Sequence, residues 1–197
     1  MIVGGVLLII FSRRDLFYAI NTNYSDTANE IMYYMTFLGQ GEVIVPVLLF
    51  LFIFPKFRNW QYFFTALCCN LVPFLIQQGL KTLFDHPRPR RLYYYELERM
   101  HYLPQWPELL ERSFPSGHSQ GAFSFFCFLS LLLPSRYNKL GLLFFIMALT
   151  VCYSRIYLTA HFFEDVYVGS ILGAGLTTII YAVIDKYKSY LFSKNTF

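Results

Sequence analysis

Two histidines, an aspartate and three cations stand where apolar stretches of this chain begin or end. Charged side chains at such places are costly and by default point to function. They fall into three clusters. Lys81-Thr-Leu-Phe-Asp-His-Pro-Arg88-Pro89 closes one apolar run, Pro115-Ser116-Gly117-His118 opens the next, and Ser154-Arg155 closes a later one, followed by His161 and Asp165. Each cluster suits phosphoryl chemistry. Lys81 and Arg88 are seven apart, about two helical turns, although Pro87 and Pro89 must end a helix before Arg88. On a rigid extended segment Arg88 can bend back towards Lys81, and with Arg155 it makes a three-cation clamp for a phosphoryl group. Ser116 is a good helix N-cap and Gly117 lets backbone approach closely, so the amides of that helix start form an anion site. His161 and Asp165 are four apart, on one face if a helix begins there. A carboxylate on one ring nitrogen fixes the tautomer and frees the other to attack. His118 can then protonate the departing alkoxide.

The elements that must position these groups follow from hydropathy. The 197 residues are 56% hydrophobic, 20% aromatic and only 14% charged, whereas a soluble domain carries about 25% charge. Apolar runs at Phe37–Phe54, Trp60–Leu80, Ser119–Leu133, Leu140–Tyr157 and Val166–Ile184 approach the ~20 residues of a membrane-crossing helix. They lack the alternation of barrel strands, so the chain is expected to be all-α, a polytopic membrane helical bundle. One connector separates the first two chemical clusters and two spans separate the second from the third. All three therefore share one membrane face.

The connectors on the opposite face are short and basic: Lys56 and Arg58, Arg136 and Lys139, then Lys186, Lys188 and Lys194. Seven of the sixteen Lys and Arg lie there against nine elsewhere, and three of the nine (Lys81, Arg88, Arg155) have a chemical reason for their place. The positive-inside rule then puts the basic loops in the cytoplasm and the chemical face outside, on the periplasmic side of a cell inner membrane. The run Met1–Phe11 is too short to span and ends at Arg13-Arg14; it reads as the end of a first membrane helix, shortened or incomplete. Cys68, Cys69, Cys127 and Cys152 lie inside apolar runs without disulfide or zinc spacing and read as packing residues. No repeat or linker divides residues 1–197, so one domain is expected. The segment 85–114, with Tyr93-Tyr94-Tyr95, Tyr102 and Trp106 among mixed charges, reads either as an interfacial lid with a short helix through Tyr93–Met100 or as an aromatic anchor without contact to substrate. Asp85, His86 and Glu164 beside the motifs receive no role. The bilayer is the evident partner; nothing calls for nucleic acid or an obligate protein partner.

The ordered pattern Lys81-x6-Arg88-Pro, Pro-Ser116-Gly117-His118, Ser-Arg155-x5-His161-x3-Asp165 resembles the type 2 phosphatidic acid phosphatase (PAP2) superfamily, with all three signature motifs present. The resemblance implies a fold shared with vanadium haloperoxidases, in a six-helix membrane plan whose first helix is short here. It implies phosphate binding by Lys81, Arg88, Ser116, Gly117 and Arg155, with His118 as acid, His161 as the nucleophile that forms a phosphohistidine, and Asp165 as its partner. No metal or other cofactor is expected. The implied reaction is hydrolysis of a phosphomonoester or diphosphate on a membrane lipid: phosphatidic acid, phosphatidylglycerophosphate, undecaprenyl diphosphate or a lipid A phosphate. Two other readings stand beside it: a phospholipid-binding or transport protein that does not hydrolyse, and a vanadate-dependent haloperoxidase-like enzyme.

Overall fold

In the computed structural model, which describes residues 2–192, the chain is helical, with no strand among the described residues. The helices are α1 (Ile2–Ile10), α2 (Arg13–Asn21), α3 (Asp26–Met35), α4 (Gly41–Phe50), α5 (Trp60–Phe84), a single turn α6 (Pro89–Leu92), α7 (Gly117–Leu132), α8 (Asn138–Tyr157) and α9 (Phe163–Phe192). Three segments, Trp60–Leu92, Ser135–Tyr157 and Phe163–Phe192, are long and apolar enough to cross a membrane, and a bent pair, Asp26–Gly39 with Gly41–Ile53, makes a fourth. Lys194 lies outside the described residues.

α7 is the hub. Its 16 residues span ~24 Å, and it carries buried Ser119, Gln120 and Ser124 next to buried Phe123, Phe125, Phe126 and Phe128. Polar groups can sit there because each finds a partner: Gln120 Nε2 donates to Ser124 Oγ at 2.9 Å within α7, and Ser124 Oγ donates to the Gly173 carbonyl of α9 at 3.3 Å. α9 approaches closest, through Gly169 and Gly173. A Cβ on Gly169 would stand 2.5 Å from the Ser116 carbonyl oxygen, and one on Gly173 2.5 Å from that of Gln120. Glycines four apart give α9 a flat stripe on which the start of α7 lies backbone to backbone, the usual way of packing helices tightly in lipid.

The apolar run Phe37–Phe54, expected as one span, is broken. Gln40 is extended (φ −98°, ψ 146°) between the 3₁₀ turn Thr36–Gly39 and α4, and the two halves meet at 61°. Close docking of Gly39 on the carbonyl of His118 at the start of α7 holds the break in place. The run Met1–Phe11 forms the short helix α1, whose Gly4 faces the Tyr167 ring of α9, and a separate amphipathic helix, α2, capped by Ser12, follows it. α2 buries Leu16 and Phe17 and turns Arg13 and Arg14 outward.

Lys56 and Asn59 line a small cleft together with Leu132, Ile184 and Asp185. The basic connector after α4, the end of α7 and the end of α9 therefore share one face. The three chemical clusters occupy the other.

Candidate active site

The turn between α8 and α9 sets the centre of the site. Thr159 takes a left-handed conformation (φ 57°) that a β-branched residue rarely adopts. Its hydroxyl donates to the His101 carbonyl at 2.5 Å and accepts from Asn21 Nδ2 at 3.1 Å. The chain then reverses, with the Ala160 and His161 amides both donating to the Arg155 carbonyl, and α9 starts at Phe163. His161 and Asp165 fall on one face. His161 Nδ1 lies 3.3 Å from Asp165 Oδ2, and both side chains are about 1% exposed. The same oxygen accepts the Phe162 amide at 2.9 Å and the hydroxyl of buried Ser113. With Nδ1 turned to the carboxylate, Nε2 is left to face the site.

Nη1 of Arg88 stands 3.3 Å from that Nε2. α5 stops at Phe84 with Asp85 in the left-handed region as its C-cap, and Arg88 follows extended (φ −85°, ψ 167°) as the N-cap of α6. Backbone bonds from Arg88 N to Leu110 O (2.8 Å) and from Ser113 N to His86 O (2.8 Å) tie this segment to the returning end of the 85–114 loop. The Arg88 guanidinium donates to the carbonyls of Glu111 (2.7 Å) and Ala160 (2.8 Å). Arg155 donates through Nη1 to Thr36 Oγ1 at 2.8 Å and lies under Trp106, 4.9 Å from the ring centroid; its Nε has no partner among the described residues. Arg88 is 6% and Arg155 1% exposed, and neither forms an ion pair with a carboxylate among the described residues. Burial first, then the charges of Arg88, Arg155 and Lys81, holds the His161 imidazole well below its usual range and therefore neutral.

Ser116 caps α7. Its hydroxyl accepts the Ser119 amide, its own amide donates to the Asp165 carbonyl at 3.0 Å, and Gln77 holds the preceding Pro115 carbonyl at 2.8 Å. His118 and Gly117 line the head of a cavity of about 710 Å³ that runs between α4, α5 and α7, with Lys81 beside them. Below that head the walls are apolar: Leu48, Phe52, Phe63, Leu67 and Phe74. His161, Arg88 and Arg155 do not line this cavity. They lie behind its head, while the fields of Arg155, Lys81 and Arg88 all reach His118.

The family profile described as the PAP2 superfamily matches residues 58–189, from the start of α5 to near the end of α9. This chain belongs to the PAP2 superfamily. The solved structure of LpxE from Aquifex aeolicus is similar, with a TM-score of 0.72 and 30% identity, covering 88% of this chain and 97% of that one. A transmembrane PAP2 type phosphatidylglycerolphosphate phosphatase from Bacillus subtilis shares the fold at a TM-score of 0.73 and 24% identity, over 94% of this chain and 92% of that one. An undecaprenyl-diphosphatase of Sulfolobus acidocaldarius is 29% identical over 180 residues, 89% of this chain and 80% of its own length. The all-helical membrane architecture read from hydropathy is thus that of the PAP2 enzymes.

Within this PAP2 fold the three clusters named from sequence converge. Sequence reasoning missed Ser113, Gln40 and Thr36, which touch Asp165, His118 and Arg155 respectively. None carries a charge or sits at a helical interval from its partner. The 85–114 loop departs from expectation in detail. The helix expected through Tyr93–Met100 is a 3₁₀ stretch, Tyr94–Arg99, kinked at Glu96 (φ −119°, ψ 17°) and preceded by the α-turn Pro89–Leu92. The bend at Tyr93 turns its ring inward onto Phe17 and Phe162, whereas Tyr94 and Tyr95 face outward. Asn21 fastens the loop to the bundle by donating to the His101 and Tyr157 carbonyls and accepting the His101 amide. Asp85 caps α5, the His86 carbonyl serves the loop's backbone pairing, and Glu164 pairs with Arg13.

Proposed function

We propose that this protein hydrolyses a phosphomonoester or diphosphate on a membrane lipid by way of a phosphohistidine on His161. One observation carries the reading: two buried arginines, one of them 3.3 Å from a carboxylate-oriented imidazole, have no ion pair with a carboxylate among the described residues. An uncompensated buried cation costs several kcal/mol, so the pocket is completed by an anion with several acceptor oxygens. In the first step His161 Nε2 attacks phosphorus. The N–P bond forms as the P–O bond to the leaving group breaks, and the departing oxygen, of a lipid alkoxide from a monoester or of the lipid monophosphate from a diphosphate, takes a proton from His118. In the second step a water gives that proton back to His118 and attacks phosphorus. The N–P bond breaks and orthophosphate leaves. Asp165 holds Nδ1 throughout, while Lys81, Arg88, Arg155 and the amides at Ser116 and Gly117 carry the charge of the phosphoryl oxygens.

The position of the groove supports these roles. His118 lines it and His161 does not, so a lipid lying in the groove presents its ester oxygen to the acid and its phosphorus to the nucleophile behind. Apolar walls and a polar head suit an acyl or prenyl tail bearing phosphate. Phosphatidic acid, phosphatidylglycerophosphate, undecaprenyl diphosphate and lipid A phosphates all answer that description. The similarity to an undecaprenyl-diphosphatase and a catalytic face opposite the basic connectors favour undecaprenyl diphosphate on the periplasmic side of the inner membrane. Trp106 over Arg155 makes the 85–114 loop the lid that keeps water from the cations.

Purified protein given these four lipids separately, with orthophosphate release as the readout, ranks them; a dedicated substrate is turned over at least about tenfold faster than the rest. His161→Ala abolishes release. Full activity in that variant refutes the nucleophile, and uniform slow release refutes a dedicated substrate.

A further inference from the structure

The break in the α3–α4 span carries a residue that the reaction above leaves unused. Gln40 is extended between Gly39 and Gly41, and its carboxamide reaches His118 Nε2 at 2.9 Å. The break is anchored on both sides. A Cβ on Gly39 would meet the His118 carbonyl and come within 2.9 Å of Val151 Cγ1, and one on Gly121 would stand 2.6 Å from the Gly39 carbonyl oxygen. Four residues earlier Thr36 holds Arg155. One short segment of a lipid-facing span therefore touches both the acid and a phosphate-binding cation.

We infer that Gln40 is the positioning residue of His118, holding Nε2 in both of its protonation states so that Nδ1 is the nitrogen that exchanges the working proton. It rests on the assignment of His118 as acid. A carboxamide suits this task because it has both kinds of group. Its NH₂ donates to Nε2 of the neutral ring, and turned by half a rotation its carbonyl accepts Nε2–H of the imidazolium. His161 has a carboxylate for the equivalent purpose. A carboxylate beside His118 would face the same cavity head as the substrate's anion, whereas an amide orients the ring without adding charge. The break is where it is delivered: Gln40 is extended beside Gly39, whose carbonyl packs against Gly121.

The test is dependence on the leaving group. Dioctanoyl phosphatidic acid releases an alkoxide that needs a proton, and p-nitrophenyl phosphate releases a phenolate that does not. Gln40→Leu, which keeps bulk but no hydrogen bond, is expected to lose about 10–100-fold in kcat on the first, within the range of general-acid contributions, and less than about 3-fold on the second, with KM little changed. Gln40→Glu, which keeps reach but loses the donor and adds charge, and Gln40→Asn, one methylene shorter, do not restore kcat on phosphatidic acid. Equal losses on both substrates, or no loss on either, overturn the inference. His118→Ala run in parallel separates the two levels. If it shows the leaving-group dependence and Gln40→Leu does not, only the role of Gln40 falls. If His118→Ala lacks it, the acid assignment falls and the inference with it.

Discussion

Ser113→Ala removes one hydroxyl from a site that its position in the sequence does not mark. Ser113, His161 and Asp165 are each 1% exposed or less, and one oxygen, Asp165 Oδ2, receives the Ser113 hydroxyl, the Phe162 amide and His161 Nδ1. No water can replace the lost donor without opening the core. A hydrogen bond to a charged group contributes about 1.5–3 kcal/mol. The Asp165 charge matters most when His161 becomes positive on attacking phosphorus, so most of that loss appears in the transition state. At about 1.4 kcal/mol per decade of rate, kcat on the preferred lipid falls by about 10–100-fold while KM changes by less than about threefold. Initial rates of orthophosphate release at saturating lipid, with a melting curve of each protein, measure both. A kcat within twofold of wild type, at any melting temperature, refutes the claim that Ser113 tunes Asp165.

His161 is held below the ordinary imidazole range, so the neutral nucleophile persists as pH falls past about 6.5, and the acid limb of kcat/KM lies below that value. Removing a cation in Lys81→Met raises the His161 pKa and moves that limb to higher pH; a limb that stays put, or moves down, contradicts the electrostatic account. Gly173→Ala drives a Cβ to 2.5 Å from the Gln120 carbonyl oxygen, so α7 and α9 must separate; by the usual cost of overpacking, the protein loses about 1–3 kcal/mol, read as a lower melting temperature in detergent. Gly175, which has open space at its Cβ, tolerates alanine without such a loss. A cysteine at Lys139, on the basic face, is expected to resist a membrane-impermeant maleimide in intact spheroplasts and to react after lysis. Labelling before lysis reverses the proposed orientation.

Much of this protein is determined locally and is readable in the chain. The four-residue spacing marks His161 and Asp165 as neighbours, because the contact is local: His161 stands in the turn just before α9 and Asp165 in its first turn. Counting apolar spans puts Lys81, Arg88, Ser116, His118 and Arg155 on the same membrane face, because each crossing of a bilayer reverses the side. The all-α membrane architecture follows from the same hydropathy, since lipid leaves the backbone few ways to satisfy itself. What packing decided lies at long range. Ser113 meets Asp165 across 52 residues, Gln40 meets His118 across 78 and Thr36 meets Arg155 across 119. Serine, glutamine and threonine are ordinary at such places, and no interval in the chain announces their partners. The break at Gln40 is marked in the chain only by the short polar interruption Gly39-Gln-Gly-Glu42, and the docking of Gly39 on α7 makes bending there favourable. Sequence determined which groups could do the chemistry; the approach of α7 to α9 and of the broken span to α7 decided how each is held.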